Sequence, residues 1–175
     1  MRESEGELAQ LQELLDASYE AAGEHLLSIH RPERRLNARQ VSEHLVGMRL
    51  LALATVTGDG RPIVGPVDGV FYRGAFYFGS APHSLRFRHI HARPQVSATH
   101  LPGEHLAVTV HGRAVPVDVR SEDLAGFRQT LLDVYVPRYG TGWERFLDSG
   151  PIYARIEAHR MFALYAPELI AASSS

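Results

Sequence analysis

The sequence predicts a mainly β, α+β domain: an antiparallel barrel of six to seven short strands with flanking helices and a further helix at the N-terminus. Three observations carry this prediction. From Leu50 onward, apolar and β-branched runs alternate with turn signals. Only one short helical stretch separates the third such run from the fourth. A long apolar segment then returns near the C-terminus, as a sheet that closes on itself requires.

Taken in order, residues 5–29 place Leu8, Leu11, Leu15, Leu26 and Leu27 among Glu, Gln and Ala, the stripe of an amphipathic helix. Residues 1–30 are expected to form a helix outside the barrel, in an N-terminal helical extension over 1–36. The run "HRPERR" ends it. Asn37, with Gln40 three residues on, forms a capping box for a second helix reaching about Gly47. "LLALATVT", "RPIVGPVDGVFY" and "AFYF" read as a three-stranded meander turning at "GDG" and "RG". Pro66 lies inside the second strand and lacks an N–H, so that point is a bulge or an edge. Ser84 starts a short helix to about Ala92, and "ARPQ" stops it. "QVSATHL" and "HLAVTVHGRAVPVDV" follow as strands joined by "PGE". Ser121, with Glu122 and Asp123 in the first turn, caps a helix to about Val136. A shorter helix covers "TGWERFL", and "IYARIEAHRMFALY" supplies one or two closing strands. The barrel domain spans 37–170, and 171–175 form a disordered tail.

Composition narrows the chemistry. Charge is nearly balanced, at −2 overall, so nothing argues for nucleic acid or an anionic membrane as a partner. The chain has no cysteine, which excludes disulfides, thiol nucleophiles and cysteine-ligated metals. No apolar run reaches the roughly 18 residues of a spanning helix, and "MRESEGELAQ" is unlike a signal peptide; a cytoplasmic location is expected. No G-x-S-x-G motif or Ser/His/Asp arrangement supports a hydrolase.

The stretch "GSAPHSLRFRHI", residues 79–90, is the richest in chemistry. A helix N-terminus offers unpaired N–H groups and partial positive charge, and so receives phosphate readily. Ser84 can instead satisfy those groups itself. Arg86 and Arg88 stand about 200° apart around a helix, so they cannot both face one ligand. Arg86, in the first turn, is the candidate; the alternative is a solvated surface arginine. His89 and His91 diverge on a helix and lack an HExxH context, so no metal site is predicted. His111 is either a hydrogen-bonded core histidine or a group beside a flavin or haem. Tyr72, Tyr77 and Phe78 are packing residues. Trp143 covers a barrel end or walls a substrate pocket.

In this order, "LATVTGDGRPIVGPV", "AFYFGSAPHSLRFRHIHARPQVSAT" and "VTVHGRAVPV" resemble the FMN-binding split β-barrel family, which includes pyridoxamine 5'-phosphate oxidases and flavin or deazaflavin reductases. The likeness covers roughly residues 45–120. It implies an FMN-binding homodimer with the cofactor between two barrels, acting as an oxidoreductase on a small molecule. It implies that Ser84 and Arg86 grip the phosphate, with arginine standing where lysine is frequent in the family. The backbone of Gly65, Pro66 and Val67 would lie along the flavin ring, and the end of the third strand, Phe78, Gly79 and Ser80, would also face it. Because the flavin carries the chemistry, no catalytic acid or base is named and the electron donor stays open. Two alternatives share the fold: a deazaflavin (coenzyme F-420) reductase with a broader basic groove drawn from Arg49, Arg61, Arg86 and Arg88, and a non-enzymatic flavin- or haem-binding protein. Apolar residues on both faces of "LLALATV" and "LAVTVHG" agree with a dimer.

Overall fold

A computed structural model of the chain describes residues 3–172. Six strands form one closed antiparallel barrel: β1 (Met48–Val56), β2 (Pro62–Tyr72), β3 (Ala75–Ser80), β4 (Gln95–Gly103), β5 (Leu106–Val117) and β6 (Ile152–Tyr165), in the order β1-β2-β3-β6-β5-β4. The period-two pattern decides which face is inside: Leu51, Leu53, Val67, Phe76, Phe78, Val96, Ala98, Val108 and Val110 all enter the core. The C-terminal segment is one strand rather than two. Its first residues pair with β3 while its full length pairs with β5. A bulge between His111 and Gly112 bends that ladder. Glycine is required there, because a Cβ on Gly112 would lie 2.2 Å from the Glu157 carbonyl oxygen.

The N-terminal leucine stripe is divided between two helices, α1 (Glu5–Glu20) and α2 (Glu24–Ile29), with Gly23 as the N-cap of the second. Ser4 and Glu7 close a capping box on α1. α1 lies outside the strands of the barrel but packs against them. Leu8, Leu11 and Leu15 belong to the same buried cluster as the barrel interior. Two buried polar groups stitch the helix to β6. Ser18 Oγ accepts from the Met161 N–H at 2.9 Å, and the Tyr19 hydroxyl donates to the Ala163 carbonyl at 2.9 Å. The acidic residues simply take the opposite, solvated face.

The capping box at Asn37 and Gln40 starts α3 (Ala38–His44), which ends short of Gly47. Gly47 then takes φ +82° to swing the chain into β1. Ser84 caps α4 (Leu85–Ala92), whose Phe87 and Ile90 plug into the barrel core. The helix after β5 begins later than expected. The Ser121 hydroxyl donates back to the Asp118 carbonyl instead of capping, and a 3-10 turn (Glu122–Leu124) precedes α5 (Ala125–Tyr139). With α6 (Gly142–Asp148), α5 forms a hairpin over the outer face of β2, β3 and β6, where Val70, Tyr77, Phe127, Leu131 and Tyr153 make a second buried cluster. Tyr72 and Tyr77 pack on Phe127, as packing residues should. α7 (Glu168–Ala172) follows β6, and residues 173–175 of the expected tail lie outside the described residues. Among the described residues, no helix is long and apolar enough to cross a membrane.

Candidate functional site: an apolar groove with an arginine at its end

The helices cover the barrel unevenly. The α5–α6 hairpin shields one side and α1 another, but Leu50 and Ala52 of β1, Val64 of β2 and Leu101 of β4 turn outward on a stretch of wall left open. Leu50, Val64 and Leu101 are 58%, 65% and 60% exposed there. With Ala52, Pro66 and Thr99 they line a groove of about 660 Å³, within the range of small-molecule sites. Three large aliphatic side chains left open on neighbouring strands form a patch that asks for a partner.

Pro66 settles at an edge, not a bulge. Its register with β1 is unbroken, Ala52 opposite Pro66, whereas β3 pairs with β2 only from Gly69 onward. Pro62–Asp68 therefore have a bare second edge. The Pro66 carbonyl on that strand accepts a 2.9 Å hydrogen bond from Arg86 Nη2. Gly65 lies beside the contact: a Cβ there would stand in ordinary van der Waals contact with the same nitrogen, at 3.4 Å.

Arg86 reaches the strand from the first turn of α4. Phe87 and Ile90, anchored in the core, fix the rotation of that helix and so turn Arg86 to the groove while Arg88 stays exposed. Ser84 Oγ accepts from the Phe87 N–H at 3.3 Å and satisfies one of the free donors of the turn. Arg86 is half-buried, and that burial lowers its pKa, although a guanidinium remains charged throughout the physiological range. Among the described residues no carboxylate pairs with it. A desolvated cation held only by a neutral carbonyl is an arrangement that an anion completes.

Of the residues singled out in the sequence, Gly65 and Pro66 line the groove, Arg86 bonds the Pro66 carbonyl beside it, and Ser84 caps the helix that carries Arg86. Val67 and Phe78 turn their side chains into the barrel core. Gly79 lies under the ring of Tyr153: a Cβ on it would stand 2.8 Å from two ring carbons. Ser80, half-buried at the end of β3, pairs with Ile152. The wider basic groove is not assembled. Arg61 is paired with Asp59, Arg49 donates to the carbonyls of His44 and Met48, and Arg88 faces solvent.

The histidines are dispersed. His89 Nδ1 bonds the Thr55 hydroxyl at 3.0 Å, and His91 is exposed. His111 Nδ1 bonds Ser97 Oγ at 2.8 Å on the outer face; burial, then His159 and Arg160, hold its pKa below the ordinary range. Among the described residues no three His, Asp or Glu side chains gather as a metal site would need. Trp143 stacks with Tyr135 and Tyr139 in the hairpin, against the barrel wall rather than its end. The sequence reading passed over Asp68 and Tyr153. Both were accessible to it, because Asp68 shares the outward face of Pro66 two residues away, and a glycine in an aromatic strand invites a neighbour's ring.

The fold is shared by solved structures. A conserved hypothetical protein from Mycobacterium tuberculosis aligns with a TM-score of 0.65 at 17% identity, over 80% of this chain and 91% of that one. A FAD-binding protein from Mesorhizobium loti aligns at 0.55 and 23% identity, over 74% and 93%. The heme storage protein HutZ from Vibrio cholerae aligns at 0.55 and 19% identity, over 77% and 94%. At such identities the likeness establishes the barrel and not the ligand. No curated protein matches the sequence. A family model does: that of pyridoxamine 5'-phosphate oxidase, over residues 38–159, from the capped start of α3 to the middle of the closing strand. By that match over most of its length, as by its barrel, the chain belongs to the pyridoxamine 5'-phosphate oxidase family.

Proposed function

We propose that the protein is an FMN-binding oxidoreductase that works as a homodimer, with the cofactor in the groove over β1, β2 and β4. The observation that carries this reading is Arg86. It is a half-buried guanidinium with no acid paired to it among the described residues, at the N-terminus of a helix and beside an apolar groove whose Pro66 carbonyl it bonds. The residues present fit the group. Arg86, Ser84 and the free N–H groups of the first turn of α4 suit a phosphate, and the apolar wall of Leu50, Ala52, Val64 and Pro66 suits a flat ring system. When bound, the flavin supplies hydride or electron transfer. The protein's own part is to fix the phosphate end, lay the ring system against Gly65 and Pro66, and exclude water with a second copy. Twin copies covering Leu50, Val64 and Leu101 would bury the apolar patch that a monomer leaves wet.

A deazaflavin reductase has less support, because Arg61 and Arg49 are already committed elsewhere, Arg88 is exposed, and of these four arginines Arg86 alone is bonded to the groove wall. Haem binding would draw on His111, whose Nδ1 is tied to Ser97 and whose Nε2 stays free. Titrating the purified protein with FMN, riboflavin, coenzyme F-420 and haemin, beside sedimentation in each mixture, separates the readings. Saturable FMN binding at one molecule per subunit in a dimer is expected. A colourless monomer that binds none of the four overturns the proposal.

A further inference from the structure

Next to the groove, at the border of the α5–α6 hairpin, Asp68 of β2, Tyr153 of β6 and Tyr135 of α5 are neighbours without side-chain hydrogen-bond partners among the described residues. Asp68 points outward two residues beyond Pro66, half-buried, at the rim of the hairpin's cover. Continuing the β2–β3 register one step past Gly69 and Phe78 brings it opposite Gly79. Tyr153 pairs with Gly79 from the other side. Because Gly79 has no side chain, the Tyr153 ring lies across it, its hydroxyl-bearing carbon 2.8 Å from where a Cβ would stand. The ring therefore crosses β3 toward the strand that carries Asp68. Tyr135, on α5, belongs to the same buried cluster as Tyr153 under the hairpin.

Both rings are buried, 4% exposed for Tyr135 and 6% for Tyr153. Neither hydroxyl has a hydrogen-bond partner among the described residues, and neither is sealed from solvent. Burial first, and then the Asp68 carboxylate, raise both phenols, Tyr153 to about 12, so both remain protonated donors at neutral pH. The carboxylate itself has no cation: no arginine or histidine among the described residues pairs with it. A charged acceptor flanked by aromatic rings and two hydroxyls, beside an apolar groove, is complementary to a planar group bearing positive N–H donors.

We propose that Asp68, Tyr135 and Tyr153 form a subsite for a flat organic cation, such as an amidinium or a protonated amino-heterocycle, held by Asp68 against the two phenols. The inference rests on the proposed function only for placing this group beside a cofactor. Binding of the cation requires no flavin. Gly79 takes on a distinct role, as the gap that lets a β6 tyrosine reach the β2 carboxylate.

Benzamidine and its neutral isostere benzamide test this on the full-length protein, with and without FMN. Trp143 is the chain's only tryptophan and stacks on Tyr135 at 4.5 Å between centroids, so its fluorescence reports the subsite alongside calorimetry. Benzamidine is expected to bind at least about tenfold more tightly than benzamide, the ratio of one charge-assisted contact. Asp68→Asn should abolish that preference while leaving FMN affinity unchanged, and Tyr153→Phe should reduce it in part. Equal binding of the two probes, no benzamidine binding below about 10 mM (~2.7 kcal/mol), or an Asp68→Asn protein that still prefers benzamidine overturns the subsite. Loss of FMN binding with the benzamidine preference intact would instead remove the flavin reading and leave the subsite standing.

Discussion

Replacing Arg86 with alanine isolates the phosphate grip from everything else in the groove. Among the described residues the side chain makes one hydrogen bond, to the Pro66 carbonyl, so its removal takes a single neutral-acceptor contact from the fold. Such a contact contributes about 0.5–1.5 kcal/mol, which leaves the variant folded. A bound phosphate loses more, because the guanidinium has already been desolvated and has no carboxylate to compete for it. A charge-assisted bond of this kind contributes about 1.5–3 kcal/mol. At 1.4 kcal/mol per factor of ten, FMN affinity should fall about 10- to 150-fold. Riboflavin lacks the phosphate, so its affinity should change little between the two proteins. Arg93 is the control: it is exposed and donates to the Thr57 carbonyl at 3.0 Å, and Arg93→Ala should bind FMN like the parent. Fluorescence titration of FMN and riboflavin against the three proteins, with melting curves to verify folding, gives the comparison. Arg86→Ala binding FMN with parental affinity, or losing riboflavin equally, would refute the phosphate argument.

Other perturbations test the frame. Leu15→Ala, in α1 and 1% exposed within the barrel core, should cost about 2–5 kcal/mol in chemical denaturation; a loss near zero would mean that the helix is not part of the cooperative unit. Gly112→Ala sets a Cβ against the backbone of Glu157, which cannot swing aside as a side chain would, so destabilisation of about 1–3 kcal/mol or more is expected in the same assay. His30, His100 and His111 all have pKa values lowered chiefly by burial. The unfolded chain therefore takes up protons first as the pH falls through the ordinary histidine value of about 6.5. Stability should be full above pH 7 and decline between about pH 7 and 5; a flat denaturation midpoint across that window would contradict the burial of these rings.

How much of this was legible in advance varies with the range of the interaction responsible. The capping box at Asn37 and the cap at Ser84 are local, set by side chains reaching three residues along, and the structure has both where the sequence placed them. The period-two alternation of Leu51 and Leu53, or of Val108 and Val110, likewise gave the inward face without further help. Ser121 misled because a serine hydroxyl has two local partners of similar worth, and here the Asp118 carbonyl won over the helix N–H groups. Long-range features were hidden. An acidic α1 face says nothing about where its leucines go, and only tertiary contact with β6 through Ser18 and Tyr19 decides it. The inward turn of Phe78 and the ring over Gly79 follow from register with β6, more than 70 residues later in the chain. Arg86 was readable as a helix-start cation, but its missing carboxylate is a fact of three dimensions.

The single closing strand has a consequence for how the protein is made. β3 and β5 each leave a pairing edge that only residues 152–165 satisfy. During synthesis, at about 5–20 residues per second, both edges wait open for seconds after β3 and β5 leave the ribosome. In that interval the sheet is an uncurled ribbon with two sticky margins and an apolar inner surface, the form in which nascent chains pair with one another. The helices α5 and α6, emitted just before β6, are then the natural temporary cover for its β3 side. A substitution that slows their folding would lower soluble yield before it affected the finished barrel.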